Sequence, residues 1–458
     1  MIRKTLWPGL RATAALAITL TSVNITRAAG NETVLHTFSL SKGAGIPFSG
    51  LAMDAAGNLY GTTELGGEGS CSDGCGVVFK LTKDSNGGFT YSDIHRFRGS
   101  LTDGGNPLGS PVLDSAGNIY GAAPSGGEVG CGVVYKLSPA AGGTYQESIL
   151  HSFNRTPTND DGCNPDSYLI FDKAGNLYGT TNKGGGGGTN GIFCLNGCGT
   201  VYRLTPNGDG TFAESVIHSF PGTPGNTDGQ NPTGALAIDS TGNLWGSTPS
   251  GGSESVGTVF ELTPNSDGTF TESQLYSFTG SSTGFNPFTN LVIDNAGNLY
   301  GTAENGGLGH GVVFRIAPQP GGGVQESVIH QFALCGGTVC ADGLTPENGL
   351  TIDSNGNLYG AALLGGGAGS RPSAICAEGP PVQGCGVVYK LTPSAQGEFT
   401  ETILYRFHGA ADGGFPGDDR LVIDASGNIF GTTAGGGGDV GACPGADPGC
   451  GVVFEVKP

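Results

Sequence analysis

Residues 54–63 read Asp-Ala-Ala-Gly-Asn-Leu-Tyr-Gly-Thr-Thr, and this stretch decides the fold. The motif Asp-x-x-Gly-Asn-[Leu/Ile]-[Tyr/Trp/Phe]-Gly starts here and returns at Asp114, Asp172, Asp239, Asp294, Asp353 and Asp424. Seven copies at a spacing of roughly 60 residues signal a repeat architecture.

Working outward, each copy sits in the same four-part unit. An apolar run precedes the Asp, as in Leu236-Ala237-Ile238. The Asn-Leu-Tyr-Gly-Thr-Thr segment follows it. A third run reads Gly-Val-Val-Phe-Lys-Leu-Thr at residues 76–82. A fourth reads Glu-Ser-Val-Ile-His-Ser-Phe at residues 214–220. All four are rich in β-branched and aromatic residues and are bounded by Gly, Asn, Asp and Pro. They are expected to be short antiparallel strands, here named a to d. The Asp and Gly-Asn suit a tight a–b turn, with Asp accepting backbone N–H bonds and Gly tolerating positive φ.

The ends specify how the units join. Gly451–Val456 is a c strand with no d strand after it. Glu32-Thr33-Val34-Leu35-His36-Thr37-Phe38 is a d strand with no c strand before it. The expectation is an all-β fold, a seven-bladed β-propeller of four-stranded antiparallel blades. The N-terminal strand joins the last blade and closes the ring, which removes exposed sheet edges.

Glycine (88) and proline (26) reach a level that would suggest disorder were the glycines not periodic. A formal charge of −19 is the wrong sign for binding phosphate backbones, so nucleic acid is not an expected partner. Residues 1–28 read as a signal peptide: Arg3 and Lys4, an apolar stretch from Ala12 to Leu20, then Thr26-Arg27-Ala28. That stretch is short for a membrane span, and no second one follows, so no transmembrane segment is expected. Residues 29–458 are then one exported propeller domain.

The twelve cysteines suit an oxidising compartment. Close spacing pairs Cys71 with Cys75, Cys194 with Cys198, Cys335 with Cys340, Cys376 with Cys385, and Cys443 with Cys450. Cys131 and Cys163 remain for each other. The rival reading is zinc on Cys71, Cys75, Cys194 and Cys198, at a Cys-x3-Cys spacing slightly long for such a site.

The Gly-Val-Val-[Phe/Tyr]-Lys-Leu-Thr segments, with Gly-Asn-Leu-Tyr-Gly-Thr-Thr upstream, resemble the GloVer-type tandem-repeat family of secreted bacterial proteins. The resemblance covers nearly all of the chain after the leader. It implies a propeller-like fold and export, and it leaves activity open. The Asp-x-x-Gly-Asn-Leu-[Tyr/Trp]-Gly piece is also similar to blades of NHL-like propellers.

Repetition explains away most candidate site residues. His36, His95, His151, His218 and His330 share one d-strand position with Tyr276 and Tyr405, so they are expected to be structural. There is no His-Glu-x-x-His and no nucleotide loop. An enzyme is therefore not the first reading. Asp103, Asp161, Asp228, Asp342 and Asp412 recur before strand a and are expected around one mouth of the channel. Loop capping is the simpler role there. Calcium on carboxylates and carbonyls is the cofactor the pattern admits, although none is required.

Antiparallel order places the long b–c and d–a connections, with all twelve cysteines, on one face. The b–c loops of blades six, seven and one cluster as long, disulfide-bearing loops, with blade three apart. Where strand a opens, small residues give way to Tyr168, Asn290, Asn348, Asp419 and Arg420. The non-repeat aromatics nearby are Phe48, Phe193, Phe285, Phe288 and Phe415. The ligand-binding candidates are Tyr168, Asn290, Asn348, Asp419, Arg420 and Phe415. The first functional reading is a non-catalytic monomer that binds an extracellular glycan or protein ligand at this face. The alternatives are a polysaccharide lyase or lactonase-like hydrolase at the channel mouth, and a protein–protein interaction scaffold.

Overall fold

The computed structural model describes residues 31–69, 71–156, 159–186, 197–221, 228–280, 282–332, 340–367, 384–409, 411–417, 420–438, 443 and 449–458. The leader reading over residues 1–28, Asp419, Phe193, Cys194, Cys335 and Cys376 lie outside the described residues, as does most of the b–c loops of blades three, six and seven.

Blade one consists of Ala52–Met53, Leu59–Thr63, Val77–Lys83 and Phe89–Arg96, hydrogen-bonded in that order. Blades two to six repeat this order. Their d strands are Tyr145–Ser152, Phe212–Ser219, Phe270–Ser277, Val324–Gln331 and Phe399–Arg406. Blade seven has Val422–Ile423, Ile429–Gly435 and Val452–Val456, and its d strand is Glu32–Thr37. Glu32 pairs with Val456 and Thr37 with Val452, antiparallel. The expected closure by the N-terminal strand is what the chain does. Among the described residues the only helical turns are two short 3₁₀ segments.

The a–b turn follows from its sequence. Asp54 Oδ1 accepts the backbone N–H groups of Ala56 and Asn58, each at 2.9 Å. Asp54 Oδ2 takes the Asn58 amide at 2.8 Å and the Tyr60 hydroxyl at 3.0 Å. Gly57 takes φ +81°, which a side chain would resist. Burial alone would raise the Asp54 pKa, but these hydrogen bonds outweigh it and hold the carboxyl below its usual range.

The core lies in the seams between blades. The Phe that ends each d strand packs edge-on against the strand-c aromatic of the next blade. The pairs run Phe97–Tyr135, Phe153–Tyr202, Phe220–Phe260, Phe278–Phe314, Phe332–Tyr389 and Phe407–Phe454, and Phe38–Phe79 joins blade seven to blade one. Their ring centroids are 4.9–5.4 Å apart. Each such contact contributes about 0.5–1.5 kcal/mol beyond area burial. The strand-b glycine makes room for it. Gly61 pairs with Phe79, and a Cβ there would stand 2.5 Å from the Phe79 ring.

The two long connections meet on one face, as the antiparallel order requires. Gly104–Gly105 of a d–a connection pairs with Ser125–Gly126 of a b–c connection. Ala44–Gly45 pairs likewise with Leu65–Gly66, and Gly229–Gln230 with Ser250–Gly251. Disulfides join Cys71 to Cys75, Cys131 to Cys163, and Cys443 to Cys450. Cys198, Cys340 and Cys385 are also disulfide-bonded, which excludes zinc on the Cys71 and Cys198 groups. Among the described residues no helix is long and apolar enough to cross a membrane.

Candidate functional site

Each strand a opens after an x-Pro pair, and that pair aims one side chain into the channel mouth. The residue before the proline holds φ between +55° and +58° in all seven blades. In four of them it is Asn, which tolerates this region at low cost. Asn106, Asn164, Asn231 and Asn286 also donate their side-chain amides across the seam, to the carbonyls of Glu64, Pro124, Asn182 and Pro249 at 3.0–3.1 Å. Blades six, seven and one place Thr345, Phe415 and Ile46 there instead. A β-branched residue at positive φ is strained, and such strain tends to gather at functional regions.

The residue after each proline then points inward. Phe48, Leu108, Asp166, Thr233, Phe288 and Glu347 line one cavity of about 490 Å³. Glu64 and Glu304, just past the ends of two b strands, add two more carboxylates, and Tyr168 and Asn290 complete part of the wall. The pocket is thus acidic and aromatic on one rim. Burial pushes Asp166 up to about 7, only partly offset by its own backbone amide and by Lys183, and its Oδ1 has no hydrogen-bond partner. Burial also raises Glu64.

A second cavity of about 720 Å³ continues down the channel between the a strands, lined by residues such as Leu51, Val112, Ile170, Ile238 and Val422. Tyr168 lines the upper cavity and Arg420 the lower one. The Arg420 guanidinium lies 4.8 Å from the Tyr168 ring centre. Blades three and seven are not neighbours, so this cation–π pair bridges the channel and divides it.

The other expected residues have different placements. Asn290 is buried, and its Oδ1 accepts the Ala235 backbone N–H. Asn348 is buried and donates to the Pro416 and Gly417 carbonyls. Both tie neighbouring blades together at the rim. Phe415 packs into the seam hydrophobic cluster beside Val422, with a ring carbon close over Gly435.

The five aspartates expected around the mouth do not line it; they sit against the outer strands. Asp103 Oδ1 is 3.3 Å from His95 Nε2, Asp161 Oδ2 is 3.1 Å from His151 Nε2, and Asp228 Oδ2 is 3.2 Å from His218 Nε2. Asp342 groups with His330. Asp412 accepts the Tyr405 hydroxyl at 2.9 Å and lies 2.8 Å from His408 Nδ1. The reason is the length of the d–a connection. Its first residues still run beside strand d, and the chain reaches the channel only after the proline.

Sequence reasoning misses Asp166 and Glu347 because they stand one or two residues before the positions that look irregular; the residue after each x-Pro pair is the signal that finds these two, whereas Glu64 and Glu304 follow b strands and carry no such signal.

Two consecutive stretches, residues 19–197 and 194–372, match the model of the Gloeobacter/Verrucomicrobia repeat. No curated protein matches the chain. Among solved structures, one titled as a candidate gluconolactonase shares 14% identity, covers 73% of this chain and 90% of its own, and has a TM-score of 0.37. Another, a candidate oxidoreductase (glucose dehydrogenase) from Thermus thermophilus, shares 17% identity over 74% of this chain and 97% of its own, with a TM-score of 0.39. Likenesses this distant carry no argument about activity.

Proposed function

The chain belongs to the Gloeobacter/Verrucomicrobia repeat family, and from that premise we propose that it is an exported, non-catalytic propeller that binds an extracellular ligand. The ligand is a glycan or another cell-envelope component, held at the channel mouth. On this reading residues 1–28 are a leader, residues 29–458 act as a monomer, and no cofactor is required.

The observation that carries the reading is the mouth itself. Six equivalent positions hold two Phe, a Leu, a Thr and two acids around one cavity of about 490 Å³. Repeat positions elsewhere are nearly invariant, so variation here has a local reason. Phe48 and Phe288 offer flat apolar faces for the C–H side of a sugar ring. Glu64, Asp166, Glu304 and Glu347 offer acceptors for hydroxyl groups. A concave site with a few convergent polar groups is the usual form of a ligand pocket. The disulfide-bearing loops on the same face lower the ordering entropy lost on binding.

One observation favours the enzyme reading as runner-up. Burial pushes the Asp166 carboxyl in the mouth up to about 7, toward the range useful to a general acid or base. A polysaccharide lyase or lactonase-like hydrolase would use that carboxyl.

The test is a binding screen of the mature protein against a broad glycan and polysaccharide panel, with calcium and with chelator, each hit being followed for product. Binding without turnover is expected. Turnover of any hit would establish the enzyme, and no hit in either condition would overturn the glycan reading in favour of a protein-binding scaffold.

A further inference from the structure

The strongest unassigned chemistry lies away from the mouth, at the outer edges of the seams. Between blades one and two, His95 comes from one d strand, Asp103 from the connection that leaves it, and Glu147 from the next d strand. His95 Nε2 stands 3.3 Å from Asp103 Oδ1 and 3.5 Å from Glu147 Oε1. Between blades two and three the same three positions bring His151, Asp161 and Glu214 together, with Nε2 3.1 Å from the aspartate. Between blades five and six they bring His330, Asp342 and Glu401 together, with Nε2 3.4 Å from the glutamate. In each set one ligand atom per residue lies within 4.8 Å of the others.

We propose that these three seams each bind one divalent transition-metal ion of the zinc or manganese class, through the His Nε2 and one oxygen from each carboxylate, and that the ions cross-link neighbouring blades.

Geometry supports this first. Donors at zinc bond lengths of about 2.0–2.2 Å stand roughly 3.3 Å apart in a tetrahedral shell. The His–carboxylate separations of 3.1–3.5 Å match that spacing, and every other donor pair in a set lies within 4.8 Å. The donor set supports it next. An imidazole with two carboxylates suits zinc or manganese, whereas calcium takes oxygen ligands only.

The glutamates add a separate argument. Oε1 of Glu147, Glu214 and Glu401 is buried without a hydrogen-bond partner, as are Oε1 of Glu272 and Glu326 and both oxygens of Glu32 in the other seams, so the compact donor geometry is what sets the three sites apart. An unpaired buried carboxylate is costly, and it is relieved by a proton or by a cation.

The remaining seams are internal controls. Between blades four and five, Tyr276 and Thr283 occupy the His and Asp positions, and the Tyr276 hydroxyl donates to Glu326 at 3.4 Å. Between blades seven and one, Gly43 and Tyr91 replace Asp and Glu, and His36 stacks on Tyr91 at 3.9 Å. Between blades six and seven, Tyr405 replaces His beside Asp412 and Glu32, and its hydroxyl donates to Asp412 at 2.9 Å. The seam between blades three and four keeps His218, Asp228 and Glu272, but not within the 4.8 Å spread of the other three.

The experiment titrates zinc, and cobalt as a spectroscopic probe, into the metal-stripped full chain by calorimetry and absorbance at pH 6.5. Three tight ions per chain are expected. Cobalt should give the intense visible bands of a four-coordinate site. His95→Gln, His151→Gln and His330→Gln should each remove one tight ion. Glu147→Gln should also remove one tight ion. Absence of tight binding, or tight binding that survives the triple histidine variant, would overturn the proposal.

Discussion

The a–b turn face and the mouth face are built from the same seven repeats, yet they treat their residues in opposite ways. On the turn face every Asp-x-x-Gly-Asn copy makes the same kind of turn. Asp294 and Asp353, for example, each accept two backbone N–H groups, an Asn amide and a Tyr hydroxyl. On the mouth face one backbone position carries Phe48, Leu108, Asp166, Thr233, Phe288 and Glu347. The turn residues satisfy a constraint that all blades share. The mouth residues meet none that is shared, so they are free to suit a ligand. The outer seams lie between these extremes, repeated in most blades and broken in a few.

The largest loss of stability is expected in the shared core. Phe314→Ala removes the ring that covers Gly301 and meets Phe278 across the seam, and should cost about 3–5 kcal/mol in denaturant unfolding. Replacing Cys131 and Cys163 by Ser opens a link 32 residues long and should cost about 3–4 kcal/mol in the chain-entropy account. Opening Cys71–Cys75, with a separation of 4, should cost about 2 kcal/mol. Equal losses for the two would break the comparison between them. On the turn face, Asp294→Ala leaves four donors without their acceptor and should cost about 1–3 kcal/mol by thermal or chemical melting.

A smaller effect belongs to the seams and depends on pH. Burial, with Asp412 close by, pushes Glu32 up to about 8, and burial pushes Glu326 up to about 7. The seam carboxyls Glu147, Glu214 and Glu401 stand at about 7 as well. A carboxyl with a raised folded-state pKa binds its proton more tightly in the native chain than in the unfolded one. Its contribution is therefore fully present below the unfolded value of 4.5 and is lost as pH rises through 7 to 8. The metal-free protein should melt at a falling temperature across pH 5–8. Glu32→Gln should flatten the upper part of that slope, and an unchanged slope would argue against a buried neutral Glu32.

Much of the fold is legible because a repeat states its constraint seven times. The strand order, the closure by residues 32–37, the shared face of the long connections and the Cys131–Cys163 link all follow from spacing. The seam partners are not legible. Glu147 reads as an ordinary strand residue, and only the ring brings it to His95 and Asp103 of the previous blade. The aspartates are expected at the mouth because a linear sequence does not give the radius at which a connection turns inward. Asn290 does line the mouth cavity, but the amides of Asn290 and Asn348 also serve backbone groups of neighbouring blades, which polarity alone does not reveal. Tyr168 and Arg420, irregular in separate repeats, do meet, because blades three and seven face each other across the channel.

The central claim, that ligand is recognised at the mouth, is tested most directly by comparing two variants on one glycan hit. Phe288→Ala alters the mouth at an exposed position where substitution should change stability by no more than about 0.5 kcal/mol. Asp294→Ala alters only the turn face. The account predicts that the mouth variant melts like the parent and loses at least about tenfold in affinity, a change of about 1.4 kcal/mol, while the folded turn variant binds as the parent does and no product forms. Binding that survives in the mouth variant, or is lost only in the turn variant, would contradict it.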